Sequence, residues 1–185
     1  MSDAGSSGYG TVARLLHWSV TLLVAVTVPA GIAMTSEGFE GVRNGLFVVH
    51  KGIGVVLLVL VVVRALWRFV VSPPPLPAFV PRGERRVARA THAGLYLLLM
   101  ALGVTGYLRT AGGGYPVELL DALGIPPLVG EMPEAATTLS VVHKFLAWAF
   151  VATAAVHVAE VLRHTLLERD GILARMWPPL APGGD

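Results

Sequence analysis

The sequence predicts an all-α membrane protein, a bundle of four transmembrane helices. Of its 185 residues 54% are hydrophobic and only 14% charged, with a strongly positive mean hydropathy, which is too apolar for an ordinary soluble domain of this size. The apolar residues also fall into four blocks. Leu15 to Met34 and Ala90 to Leu108 carry no formal charge; Leu46 to Leu66 is broken only by Lys51 and Arg64, and Thr137 to Ala159 only by Lys144. Each block is about the 20 residues that a helix needs to cross a bilayer. The connections complete the pattern, since basic and acidic residues gather in different ones.

Residues 1–12 are small and polar and read as a flexible tail. The transmembrane domain spans 13–168, with helices at about 13–34, 46–70, 87–110 and 137–165, and 169–185 form a C-terminal tail. The first block follows Arg14, but it is longer than a signal-peptide core and lacks a small-residue cleavage site, so it is expected to be retained as a helix. Pro29 is expected to kink it. After the second block comes "RFVVSPPPLPAFVPRGERRVAR", whose prolines exclude a helix from Pro73 to Pro81 and whose arginines make it the most basic loop. After the third comes "TAGGGYPVELLDALGIPPLVGEMPEAA", with Glu118, Asp121, Glu131 and Glu134 and no basic residue. Basic loops stay in the cytoplasm. The 64–89 loop and both termini are therefore expected inside, in agreement with Arg14, Arg163, Arg169 and Arg175. The Thr35–Gly45 connection and the acidic one face out, and "VELLDALG" is expected to form a helical turn or two on the outer surface.

The absence of cysteine excludes disulfides, thiolate chemistry, iron–sulfur clusters and covalent haem attachment. A net charge of +2 is explained by arginines at helix ends and points to no nucleic-acid partner.

The chemistry lies in the histidines. All six (His17, His50, His92, His143, His157 and His164) fall in or at the ends of the four helices. One interfacial histidine needs no function; six distributed over every helix of a membrane bundle ask for one. His143 and His157 are fourteen residues apart, about 21 Å along a helix and roughly 40° short of four full turns. They share a face but lie near opposite leaflets, which suits two separate metal centres, such as two haems each held by one of them. The second and fourth helices both start outside, so His50 matches His143 in depth. The first and third start inside, so His157 is matched by His17 or His92, and the spacing does not choose between these. His164 lies seven residues beyond His157, which would stretch the span between centres to about 31 Å, and it reads as an interfacial proton donor or a solvated helix-end histidine.

Small residues could admit a flat macrocycle between helices: Gly52 and Gly54 beside His50, Gly94, Gly103 and Gly106 on the third helix, and alanines along the fourth. Ordinary close packing of membrane helices explains them equally. Lys51 and Lys144 each follow an outer histidine and can snorkel to the interface or pair with a haem propionate. Arg14 and Arg64 are the corresponding inner candidates, although positive-inside topology already accounts for them.

Taken in order, "RLLHW" at 14–18, "HKGIGVVLLVLVVVRALWR" at 50–68, "HAGLYLLLMALGVTGYL" at 92–108, "LGIPPLV" at 123–129 and "HKFLAWAFVATAAVHVAEVLRH" at 143–164 resemble the bacterial cytochrome b561 family. This is a family of four-helix di-haem b membrane cytochromes related to the cytochrome b subunits of nickel–iron hydrogenases. The resemblance covers nearly everything beyond residue 12. It implies two non-covalent bis-histidine b haems, with His17 and His157 on the inner iron and His50 and His143 on the outer. His92 is left over, a lesser ligand candidate because the hydrogenase-type relatives arrange their ligands differently. The resemblance further implies a multi-pass protein of the bacterial inner membrane that passes electrons between a donor at the outer face, superoxide in some members, and ubiquinone. The outer connections hold more carboxylates than bases, so attraction of superoxide would need Lys51, Lys144, Arg43 and Arg109 to converge.

Quinone reduction consumes protons as well as electrons. His92 and His164, both near the inner face and neither required as a ligand, are the expected relay at an inner quinone site, because an imidazole titrates near pH 6.5. Membrane lipid is the remaining partner. Two rival functions follow from the same residues. A haem b subunit relaying electrons from a partner dehydrogenase or hydrogenase would co-purify with a redox protein. A haem-free transporter using histidines as proton relays would purify colourless, and the lack of Asp or Glu inside any block argues against it.

Overall fold

The computed structural model describes residues 8–177, which form helices and connections with no strand among them. In chain order these are α1 (Thr11–Ala33), α2 (Arg43–Val70), α3 (Arg82–Gly112), the short α4 (Glu118–Ala122) and α5 (Pro133–Leu162). A π-helical turn at Arg163–Glu168 continues α5, and a 3₁₀ turn follows at Leu173–Arg175. Four helices are long and apolar enough to cross a membrane: α1, α2, α3 and the continuous run Pro133–Glu168.

The helices start before their apolar blocks do. α2 gains Arg43 to Gly45, α3 gains Arg82 to Arg86, and α5 gains Pro133 to Ala136. Hydropathy marks where lipid begins, not where the helix begins. Pro133 sits in the first turn of α5, where its missing N–H costs nothing and its fixed φ suits the helix. Glu84 and Glu134 occupy first turns, facing the positive end of the helix dipole. Pro29 lies inside α1, and "VELLDALG" supplies the five residues of α4.

α1 packs on α2, α2 on α3, and α3 on α5, while α4 lies against α2. The buried core is Val20, Leu57 and Val61, flanked by Leu23, Val24, Ile53, Leu60, Tyr96, Leu99 and Met100, so it is built from α1, α2 and α3. α5 buries Ala136 and Phe150 outside this cluster. Gly103 brings α3 onto α2, since a Cβ there would stand 2.8 Å from the Leu58 side chain.

The two ends of the bundle are tied differently. At one end Lys51 donates to the Pro116 carbonyl and to Glu118, both at 2.7 Å, which straps α4 to α2. At the other end the first and last described segments meet. Tyr9 N–H donates to the Arg175 carbonyl (3.0 Å), Trp18 donates to the Met176 carbonyl (2.9 Å) and stands edge-on to Trp177. Arg175 in turn donates to the carbonyls of Pro74 and Pro75 in the α2–α3 loop, at 3.1 and 2.8 Å. Arg163 joins the start of α3 to the end of α5 through Glu84 and Glu160, both at 3.0 Å, and through Glu168.

Candidate metal-binding histidine pairs

Five of the six histidines meet in two groups at the two ends of the bundle. Near the α4 end, His50 of α2 faces His143 of α5, with ring centres 6.3 Å apart and planes at 83°. Near the opposite end, His17 of α1 faces His157 of α5 at 6.4 Å and 81°. His92 of α3 also touches His157, at the shorter separation of 5.2 Å. The His50–His143 pair joins α5 to α2 and the His17–His157 pair joins α5 to α1, whereas α5 packs its backbone chiefly on α3.

Each outer ring is seated by a hydroxyl and a glycine from a neighbouring helix. Thr27 and Gly31, four residues apart on one face of α1, hold His50. The Thr27 carbonyl can only accept, so His50 Nδ1 carries the hydrogen and donates to it at 2.9 Å. Gly31 leaves room for the ring, because a Cβ there would lie 2.8 Å from His50 Cε1. On α3, Thr105 donates its hydroxyl hydrogen to the Ala101 carbonyl (2.7 Å), so its oxygen accepts from His143 Nδ1 at 3.1 Å. Gly106 makes the matching gap, with a Cβ position 3.1 Å from His143 Cε1. Both outer rings thus hold their hydrogen on Nδ1 and keep the Nε2 lone pair, as a metal-binding imidazole does.

The inner group is wired differently. Arg64 of α2 donates Nη1–H to His17 Nδ1 at 2.7 Å and Nε–H to the Tyr96 hydroxyl at 2.7 Å. A guanidinium only donates, so in this arrangement the His17 hydrogen is on Nε2, and ligation through Nε2 requires Arg64 to release Nδ1. Arg68 lies over the Tyr96 ring at 6.0 Å.

The sequence-predicted accessory residues fall in several places. Lys51 is engaged by Glu118 and Pro116, and Lys144 is exposed. Arg14 is buried, 6% exposed, near the start of α1. Arg43 pairs with Glu40 at 3.4 Å. His164 is not brought to the other histidines. Its Nδ1 lies 2.6 Å from Asp170 and 2.7 Å from Glu168, and its Nε2 lies 3.2 Å from Arg163. His164, Glu168 and Asp170 are ligand types that converge within 4.8 Å. Arg163 can only donate to Nε2, however, so Nδ1 holds its hydrogen toward the carboxylates and offers no lone pair to a metal. Burial raises the Asp170 carboxyl, but the Ile172 N–H and His164 outweigh it and hold Asp170 below the usual carboxylate value.

The bundle thus places two facing histidine pairs near its two ends. Residues 8–179 match the family model described as prokaryotic cytochrome b561. The chain belongs to the prokaryotic cytochrome b561 family. It is 33% identical over 170 residues to cytochrome b561 homolog 2 of Escherichia coli (strain K12), covering 91% of this chain and 90% of that protein. It is 27% identical over 170 residues to the probable superoxide oxidase CybB of Yersinia pestis, covering 88% of this chain and 92% of that one. Family membership makes the chain a multi-pass bacterial membrane cytochrome that binds haem b and transfers electrons.

Sequence reasoning did not find Thr27, Gly31, Thr105 or Arg64's contact with His17. The available signal was register: a hydroxyl and a glycine stand on one helix face at Thr27 and Gly31, and side by side at Thr105 and Gly106. Neither pair stands out among the other small residues of a membrane helix.

Proposed function

We propose that the chain carries two b haems, the outer held by His50 and His143 and the inner by His17 and His157, and moves electrons between an outer-face donor and ubiquinone. The observation that carries this reading is the pair of ring separations, 6.3 and 6.4 Å. Two metal–nitrogen bonds of about 2 Å, plus roughly 1 Å from each nitrogen to its ring centre, give about 6 Å for two imidazoles that would hold one metal ion between them. The 5.2 Å between His92 and His157 is too short for that arrangement, which supports His17 over His92 as the inner partner. The outer pair fits a haem iron as it stands, and the inner pair fits once Arg64 turns from His17.

A bound b haem supplies a one-electron iron couple whose potential the protein tunes. The chain's own part is to hold the rings. The Thr27 carbonyl and the Thr105 hydroxyl orient the outer rings, and lipid-facing apolar residues keep water away. The two pairs use residues fourteen apart on α5, about 21 Å of helix, so the centres are stacked across the bilayer. The arginines of the basic 64–89 loop and of both termini favour a cytoplasmic inner end in a bacterial inner membrane. His92, beside His157, supports quinone exchange at that end, with His164 and its carboxylates as the proton source. The relative named a probable superoxide oxidase favours superoxide as the outer donor, although Lys51 and Arg43 are already paired with carboxylates and do not converge on the outer pair.

The test is a haem-to-chain ratio on purified protein, followed by single substitutions. The ratio should be two, with all haem extractable by acid–acetone. His50→Ala and His143→Ala should each remove one haem, His17→Ala and His157→Ala the other, and His92→Ala neither. Loss of the inner haem from His92→Ala with retention in His17→Ala would reverse the inner assignment, and a ratio of one would reject the two-centre reading.

A further inference from the structure

We propose that Arg109 holds the anionic carboxylate edge of the outer cofactor and thereby raises that centre's reduction potential. This rests on the reading of His50 and His143 as an iron-binding pair. Arg109 lies near the outer end of α3, four residues after Thr105 and three after Gly106, the two residues that seat His143. That spacing puts it on the same helix face, one turn nearer the outer surface.

Its partners are what set it apart. Among the described residues, the Arg109 side chain makes no hydrogen bond or ion pair, although it is half-buried at the end of a membrane span. The nearby alternatives are engaged elsewhere: Lys51 holds Glu118 and Arg43 holds Glu40. Lys144, which follows His143, is exposed. Carrying a guanidinium into a half-buried site one turn from the seat of His143 is costly unless an anion joins it. A haem bound between those imidazoles brings two carboxylates, and a guanidinium fork matches a carboxylate bidentately. The inner group repeats the theme, since among the described residues Arg64 is hydrogen-bonded to His17 and to the Tyr96 hydroxyl and pairs with no carboxylate. A competing role for Arg109 is to reach the headgroup region and serve lipid phosphate.

The redox consequence separates the two roles. The oxidised iron centre carries one more positive charge than the reduced one, so a guanidinium held at the haem edge disfavours oxidation. In Arg109→Gln, a potentiometric titration of the haem-loaded protein should resolve two components with only one displaced. At a fixed ambient potential the reduced-to-oxidised ratio of the outer haem should fall about tenfold, which for a one-electron couple is 59 mV downward. The inner component should not move, and Arg109→Lys should restore most of the shift. Two bound haems with both potentials unchanged in Arg109→Gln would overturn the proposal in favour of lipid contact. If Arg109→Gln binds no outer haem, Arg109→Lys decides: retention of that haem supports a charge-holding role, and loss from both variants overturns it in favour of packing. A parent protein without a second haem would instead reject the underlying two-centre reading.

Discussion

A methyl group placed at Gly31 presses directly on the outer histidine. The Cβ of Gly31→Ala would lie 2.8 Å from His50 Cε1 and 3.0 Å from Nδ1. Carbon atoms in contact ordinarily stand about 3.5–4.0 Å apart, so the ring must retreat by roughly 0.7 Å or more. A metal–nitrogen bond tolerates about 0.2 Å, so the retreat exceeds what an iron held by this ring could follow by about threefold. The same movement strains the 2.9 Å hydrogen bond that keeps the ring hydrogen on Nδ1. The helix itself should not suffer, because alanine is favoured over glycine in helix interiors by about 1 kcal/mol. The effect should be graded. At Gly106 the Cβ would stand 3.1 Å from His143 Cε1, so Gly106→Ala asks for about half the movement. Gly54, with nothing within 4 Å of a Cβ, is the control. The assay is the haem-to-chain ratio by pyridine haemochrome, with redox titration to say which haem remains. Gly31→Ala should drive the ratio from two toward one and spare the inner haem, Gly106→Ala should weaken the outer haem less, and Gly54→Ala should match the parent. Gly31→Ala with both haems at parental potentials would refute the claim that this gap is what seats the outer ligand.

Two further outcomes are expected. Asp170 has its carboxyl held below its ordinary value of 3.8 in the folded chain, so its contribution to stability is present above that value and is lost as pH falls through the lowered one. Asp170→Asn should therefore lower the thermal midpoint at about pH 6 but match the parent in strong acid, and a gap that stays constant across the titration would rule out the ionised carboxylate as its source. A His92→Phe, His164→Leu double variant that still binds both haems should lose quinone-dependent oxidation or reduction of the haems while reacting normally with small soluble reductants; parental quinone turnover would move the quinone site elsewhere.

The bundle was legible because its two governing quantities are local. Block length says where lipid is crossed, and the alternating direction of successive helices says which histidines share a depth. That is why His50 could be matched to His143 from spacing, and why His157 was left between His17 and His92, which both enter from the same side. What could not be read is whatever depends on helix rotation about its own axis. Thr27 meets His50 across 23 residues, Thr105 meets His143 across 38, and Lys51 meets Glu118 across 67. The apolar pattern is too uniform around these helices to fix which face turns inward: even hydrophobic residues such as Leu22, Leu97 and Phe145 are largely exposed. Helix starts were misjudged for a related reason. Hydropathy is blind to the polar first turns at Arg82–Arg86 and Pro133–Ala136, which lie outside the apolar blocks.

The clasp at the inner end also orders events in time. Arg175 and Met176 receive hydrogen bonds from Tyr9 and Trp18, and Arg175 reaches Pro74 and Pro75. A ribosome delivers Tyr9 and Trp18 well before Arg175. The contacts that close this end therefore cannot form until α5 has been synthesised and inserted. α5 carries one member of each histidine pair, so neither pair exists before that moment either. The same stretch thus brings in the α5 member of each histidine pair and latches the first helix to it.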